Sequence, residues 1–316
     1  MNQISYQLRS RIAPTPSGFL HLGNVFSFVL TWLIVRQNKG HLLLRIDDLD
    51  AQRRRIEYID DIFSTLEWLD LDYDEGASGT ADFFQNFSQE TRLQNYEKLL
   101  TELINIQSSL IFECRCSRAD IQRNSTKGLY AGTCRESRVV SRIPPNGHSN
   151  NGEVAWRIKV PSETIVFQDV LKGQIEISLA KQMGDFVVRK KDGLPAYQVA
   201  SLSDDLEYNI NYIVRGEDLI DSTVAQAFLA QLLDKKQFTE SHFLHHPLLR
   251  LPNNEKLSKS AGATAVQSLR KEVASPQLIF QWIAGELGLS SKIKNLHELL
   301  EAFELKEITS LHSLTL

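Results

Sequence analysis

Two short runs at opposite ends of the 316-residue chain carry residue types suited to phosphate chemistry. Near the N-terminus, RIAPTPSGFLHLGN (Arg11 to Asn24) gathers an arginine, two prolines, two glycines and a histidine ahead of a long apolar stretch. Prolines remove backbone donors and glycines add chain entropy, so this run is costly as plain core and implies that something lies close to its backbone. His21-Leu22-Gly23-Asn24 falls where a helix should begin, and there free N–H groups and the helix dipole favour an anion. Gly23 would admit a ligand, and the imidazole can donate to a phosphate oxygen. Far downstream, EKLSKSAG (Glu255 to Gly262) sets Lys256 and Lys259 three apart with Ser258 between them and Gly262 behind. That composition suits a loop closing over a polyphosphate, whose developing charge the ammonium groups would balance. Each run has a plainer reading, ordinary packing for the first and a solvated turn for the second.

The cysteines form a third constellation. All three, Cys114, Cys116 and Cys134, lie in one segment, and an odd, clustered count argues against a disulfide framework. Three thiolates can hold Zn²⁺ if a fourth ligand closes the tetrahedron, whereas three buried thiols are the alternative. The nearest histidine, His148, follows a loop-like PPNG stretch.

These residues need a scaffold. Residues 7–13 read as a strand, 21–40 as a long amphipathic helix closed by glycine and 41–47 as a second strand, followed by helical spacing over 53–71 and 88–106. The order strand, helix, strand predicts an α/β fold, a Rossmann-type parallel-sheet nucleotide-binding domain with ligands at the carboxyl ends of its strands. Between Cys114 and Gly152 the chain turns polar, as an inserted subdomain would. Strand-like segments EVAWRIKV, TIVFQDVL, GQIEISL and DFVVRKKDG follow, then a return to helix and strand through AYQVASLSDDLE, NYIVRGEDL and DSTVAQAFLAQLL. The expected organisation is a first catalytic half over 1–110, a zinc-bearing acceptor-binding insert over 111–185, a second catalytic half over 186–262 and a short helical region over 263–316.

Composition bounds the partners. At 42% hydrophobic and 23% charged residues the chain is globular, and a net charge of −4 disfavours nucleic-acid binding by bulk charge. Local tracks at Arg53 to Arg55, Arg189 to Lys191 and Lys235-Lys236 are candidate phosphate contacts, or else solvated faces. No apolar run approaches twenty residues, and MNQISYQLRSR lacks the apolar core of a signal peptide, so a cytoplasmic monomer without a membrane partner is expected.

Taken together, H-x-G-x after an N-terminal strand and a late K-x-S-K-S resemble the signature pair of class I aminoacyl-tRNA synthetases. RIAPTPSGFLHLGN, RIDDLD (Arg45 to Asp50) and VRGEDL (Val214 to Leu219) resemble the glutamate-specific subgroup, over about Arg11 to Gly262. The resemblance implies that Arg11, Ile12, Ala13, Pro14, Thr15, Asp47, Tyr197 and Arg215 line a glutamate site. It also implies that His21, Gly23, Asn24, Lys256, Ser258 and Lys259 meet ATP with its Mg²⁺, with His21, Lys256 and Lys259 carrying the catalysis. The charges agree with a glutamate ligand, which needs a cation for each carboxylate and an acceptor for its ammonium; Arg11, Arg215 and Asp47 supply them, and Tyr197 adds a hydroxyl. One departure stands out: the family usually carries glutamate where this chain has Asp47, which draws the carboxylate back by a methylene.

C-x-C followed by Y-x-x-x-C resembles the zinc site of the glutamyl-Q tRNA(Asp) synthetases, with Tyr130 as the fourth ligand beside Cys114, Cys116 and Cys134. That resemblance implies one structural Zn²⁺ per chain, glutamate activation without tRNA, and transfer to queuosine in the anticodon loop of tRNA(Asp). The 57 residues after Lys259 are too few for the large anticodon-binding region of a full glutamyl-tRNA synthetase. The rivals are a shortened glutamyl-tRNA synthetase charging tRNA(Glu), a catalytically idle paralogue that binds glutamate, nucleotide or RNA, and a small-molecule nucleotidyltransferase sharing the H-x-G-x helix start.

Overall fold

Strand β1 (Arg9–Ile12) leads through the proline- and glycine-rich run into helix α1 (Leu22–Gln37), and β2 (His41–Leu44) returns parallel to β1, with Arg11 opposite Leu43. In this computed structural model, residues 7–125, 129–140, 154–250, 266–305 and 314–315 are described. Helix α2 (Ile56–Trp68) then carries the chain to the two-residue β3 (Glu75–Gly76), which pairs parallel to β2. Helix α3 (Leu93–Gln107) precedes β4 (Ile111–Cys114), a strand that the polar character of the following segment concealed.

Three antiparallel strands, β4, β5 (Ala155–Ile158) and β8 (Phe186–Arg189), form a small sheet with Cys114 at its end. Strands β6 (Thr164–Asp169) and β7 (Gly173–Ser178) form a hairpin; β6 alternates exposed and buried positions, the period-two pattern of a one-sided strand. Helix α4 (Tyr197–Glu207), β9 (Tyr212–Gly216), helix α5 (Ile220–Leu232) and β10 (His242–His246) complete the second half. Strand β10 lies parallel to both β9 and β6, so the hairpin extends this sheet in the order β7-β6-β10-β9.

The two halves meet at β1 and β9. Asn211 donates its backbone N–H to the Arg9 carbonyl at 3.1 Å, and its side-chain oxygen accepts the Arg9 N–H at 2.8 Å. Strands β2 and β3 then lie to one side and β10 and β6 to the other, so the chain reverses direction across the sheet between β1 and β9. Such a reversal leaves a crevice at the strands' carboxyl ends, where open α/β sheets bind their ligands.

Helix α1 is not amphipathic, contrary to its sequence reading: 11 of its 16 residues are buried. One face packs on the sheet, and the other meets helices α7 (Gln277–Glu286) and α8 (Leu296–Ala302), whose Ile279, Phe280, Ile283, Leu296 and Leu299 share its core, while α6 (Val266–Glu272) packs against α2. The reason lies in the C-terminal region, whose apolar stripes have no other surface to bury. Among the described residues, no helix is long and apolar enough to cross a membrane.

Candidate active site

A cavity of about 630 Å³ opens at the carboxyl ends of β1 and β9. Its lining brings together Arg11, Ile12, Ala13, Pro14, Thr15, His21, Gly23, Asn24, Asp47, Tyr197 and Arg215, eleven positions drawn from five segments of sequence. Lys256, Ser258 and Lys259 lie outside the described residues, as does His148. The chain on either side of the lysine run is nevertheless anchored here: Leu249 lines the cavity, and the Val266 N–H bonds the Leu20 carbonyl at 2.9 Å.

At one end, His21 is the N-cap of α1. Its Nδ1 accepts the Gly23 N–H at 3.1 Å, while the Asn24 side chain accepts the His21 N–H in return. The capping bond requires Nδ1 to be bare, which leaves the proton on Nε2 as a donor for an incoming anion. This corrects the expectation of free helix N–H groups, because those of Gly23, Asn24 and Val25 are already engaged by His21. Gly23 has a local reason as well: a Cβ there would sit 3.0 Å from the His21 ring, so glycine is what lets the imidazole fold over the helix start.

At the other end, three arginines surround two carboxylates. Arg11 Nε and Arg45 Nη1 both reach Asp205 Oδ1, at 2.9 and 2.7 Å, and Arg215 Nη2 approaches Oδ2 at 3.5 Å. Arg45 also grips Asp47 with Nε and Nη2, at 2.7 and 3.0 Å. Arg11 and Arg215 are thus buried cluster members, 3% and 4% exposed, not surface ion pairs. Burial alone would raise the Asp205 pKa, yet Arg11, Arg45 and Arg215 hold it below the ordinary carboxylate value. For Asp47 burial outweighs Arg45 and the pKa is raised, so a cation arriving beside it would be welcome. Within this cluster three guanidiniums against two carboxylates leave one net positive charge, which favours an anionic ligand at this end, while Asp218 adds a carboxylate elsewhere in the lining.

Arg45, Asp205, Ser201, Thr223 and Gln226 were not singled out from sequence. Arg45 opens the run that contains Asp47, and Asp205 lies in the run AYQVASLSDDLE that contains Tyr197, so proximity to motif residues was the available signal. Asp48, next to Asp47, is structural: it holds Arg54 at 2.6 Å, the Ser88 hydroxyl and the Gln89 N–H. Asp204, next to Asp205, is balanced by Arg92 at 2.9 Å and by the Tyr96 hydroxyl.

The basic tracks fare unevenly. Arg189 is buried, its guanidinium stacked 4.5 Å over Trp156, which removes it from any surface contact. Lys191 donates to the Arg115 carbonyl, Lys190 pairs with Asp192 and Lys235 with Glu102. Arg53 and Arg55 are exposed, and Arg54 lies between Asp48 and Glu90.

Away from the cavity, the sulfurs of Cys114, Cys116 and Cys134 lie within 4.8 Å of one another, with Cys116 and Cys134 at 3.6 Å. Zinc–sulfur bonds of about 2.3 Å at tetrahedral angles place sulfurs about 3.8 Å apart, so the cluster fits a zinc ion. The Tyr130 hydroxyl accepts the Cys134 N–H at 2.5 Å, which brings the fourth residue of the sequence motif to the cluster. Burial and the neighbouring thiols push Cys116 up to about 11; a dication among them would reverse that balance, because a coordinating thiol is deprotonated.

A family described as tRNA synthetases class I (E and Q), catalytic domain, matches residues 7–315. The chain belongs to that family. Among curated relatives, the chain is 38% identical over 258 residues to a glutamyl-Q tRNA(Asp) synthetase of Methylococcus capsulatus, covering 82% of this chain and 78% of the relative. It is 36% identical over 269 residues to the enzyme of that name from Pseudomonas putida, at 85% and 80% coverage. It is 32% identical over 315 residues to a glutamate–tRNA ligase of Aquifex aeolicus, of whose length it spans 63%. Among solved structures, a glutamate tRNA ligase of Elizabethkingia meningosepticum superposes with a TM-score of 0.77 at 22% identity, over 98% of this chain and 67% of that one, a likeness of fold.

Proposed function

We propose that the cavity binds glutamate and ATP together, forms glutamyl-adenylate without tRNA, and passes the glutamyl group to queuosine of tRNA(Asp). The observation that carries the first half is that Arg11, Arg215 and Asp47, held by the buried cluster with Arg45 and Asp205, line the same cavity as the His21-capped start of α1. The glutamate carboxylates face Arg11 and Arg215, its ammonium faces Asp47 and the Tyr197 hydroxyl, and Ile12 to Thr15 form the floor. An ionised α-carboxylate oxygen attacks the α-phosphorus and pyrophosphate leaves, so no protein base is needed. The protein positions the reactants and neutralises charge: the His21 Nε2–H and the Asn24 side-chain amide at the helix start, with Gly23 leaving room beside the ring, and Lys256, Ser258 and Lys259 from the segment beyond Arg250, take the phosphates, which carry Mg²⁺ as part of the substrate. In the second step a hydroxyl of the queuosine cyclopentenediol attacks the acyl carbon and AMP leaves.

Two observations support tRNA(Asp) as the acceptor. Identity to the two glutamyl-Q tRNA(Asp) synthetases is 36–38%, against 32% for the Aquifex aeolicus glutamate–tRNA ligase. Tyr130 joins Cys114, Cys116 and Cys134 as that group's motif requires. These four residues would hold one structural Zn²⁺, whose closed ligand set leaves no position for chemistry and which would brace the end of β4. The second reading, charging of tRNA(Glu), is favoured by matches to glutamate–tRNA ligases that cover 94–96% of the chain. Incubation with ATP, labelled glutamate and total tRNA from cells with and without queuosine separates the two. Label that depends on the modified base supports the proposal, and label on tRNA(Glu) from both sources overturns its acceptor half.

A further inference from the structure

Behind Arg215, on the side away from the cavity, lies a chain of buried polar groups that the reaction itself does not use. Asp169, at the end of β6, accepts the N–H groups of Leu171 and Lys172 on one oxygen, both at 2.9 Å. Its other oxygen takes the backbone N–H of His245 at 3.0 Å and the ring Nδ1 at 2.7 Å. His245 Nε2 meets the Thr223 hydroxyl at 2.9 Å, and the Thr223 oxygen meets Arg215 Nη1 at 3.0 Å. All four side chains are 4% exposed or less, and they come from β6, β10, α5 and β9.

Proton bookkeeping gives this chain one direction. An ionised carboxylate only accepts, so His245 must carry its proton on Nδ1 and present a bare Nε2. The Thr223 hydroxyl therefore donates to Nε2, in preference to the Leu219 carbonyl at 3.2 Å, and turns its lone pairs toward Arg215. Arg215 Nη1 is then held by Thr223 and by Gln226 Oε1 at 2.7 Å, while Nη2 has only the longer contacts to Ser201 at 3.4 Å and Asp205 at 3.5 Å. One nitrogen is clamped and the other is loosely held beside the cavity.

We propose that Asp169, His245 and Thr223 form a positioning relay that sets the plane of the Arg215 guanidinium, and so its grip on a substrate carboxylate. The proposal rests on the reading that Arg215 receives such a carboxylate. None of the three relay residues lines the cavity, so their effect on substrate passes through Arg215. His245 is held neutral, burial pulling its pKa down against the pull of Asp169, which keeps the tautomer that the relay requires at neutral pH.

The test uses the full chain and two independent readouts. Thr223→Val keeps the shape and removes the hydroxyl, and Thr223→Ser restores it. In pyrophosphate exchange, Thr223→Val should raise KM for glutamate about 10-fold or more, leave KM for ATP within about 2-fold, and be rescued by serine to within about 3-fold of wild type. His245→Gln should raise KM for glutamate similarly, and the double variant should fall short of the sum of the two effects. Equal changes in both KM values, or no rescue by serine, would show a merely structural role. The second readout is the ¹⁵N spectrum of the His245 ring at neutral pH in the protein without substrate: a bare Nε2 and a protonated Nδ1 are expected, and the opposite tautomer overturns the relay. If wild-type protein shows no glutamate-dependent exchange, the reading of the site fails, while the ring spectrum still decides the relay.

Discussion

Replacing Asp205 with asparagine tests the charge arrangement most severely, because the shape is kept and one buried charge is lost. The Asp205 side chain is fully buried and faces Arg11, Arg45 and Arg215. Without it, three guanidiniums face Asp47 alone, and the net charge of the cluster doubles. Breaking a buried ion pair by removing one partner costs about 3 to 5 kcal/mol. With a urea dependence of about 3 kcal/mol per molar, the unfolding midpoint of Asp205→Asn should fall by about 1 to 1.7 M at pH 7, as followed by circular dichroism. The sign with pH follows from the depressed carboxyl: its folded pKa lies below the ordinary 3.8, so its contribution is complete above that value and fades as pH falls toward the folded one. Wild type and variant should therefore converge in stability below about pH 4. A midpoint loss under about 0.3 M, or a gap between the two proteins unchanged from pH 7 to pH 3, would refute the reasoning.

Three further outcomes are expected. Arg11→Lys replaces a planar fork by a point charge and should raise KM for glutamate by about 10- to 100-fold, with KM for ATP little changed in exchange kinetics. His21→Asn keeps an N-capping oxygen but lacks the Nε2–H donor, so the melting temperature should stay within about 2 °C of wild type while kcat for exchange falls about 100-fold. Cys134→Ser should lower bound zinc, measured by atomic absorption after dialysis, from one per chain to well under half, and should leave tRNA-independent exchange within about 3-fold because the cluster lies outside the cavity.

What could be read from the sequence was the chemistry that spacing alone dictates. His21 and Gly23 were legible as a helix start beside a ligand, but the capping bond, an imidazole folded over a neighbour without a Cβ, emerged only from the fold. The clustering of the three cysteines was likewise legible, whereas Tyr130 came only from the resemblance to a known zinc motif. Partnerships across the fold were invisible: Arg45 is joined to Asp205 across 160 residues, and nothing local distinguishes Asp205 from Asp204, which serves Arg92 instead. Nor could periodicity say that α1 would be covered on both faces, since the helices covering it lie at Gln277–Glu286 and Leu296–Ala302. Arg189 misled for the same reason, because its Trp156 partner sits on a strand paired with its own.

The account turns on whether this cavity selects an acidic amino acid. Pyrophosphate exchange without tRNA, run in parallel with glutamate, glutamine and aspartate, measures that directly. Saturable exchange with glutamate, at a kcat/KM at least about 100-fold above that for glutamine, is the predicted result, because the uncharged amide leaves a buried guanidinium without its anion. Equal exchange with glutamine, or none above background with glutamate, would contradict the claim.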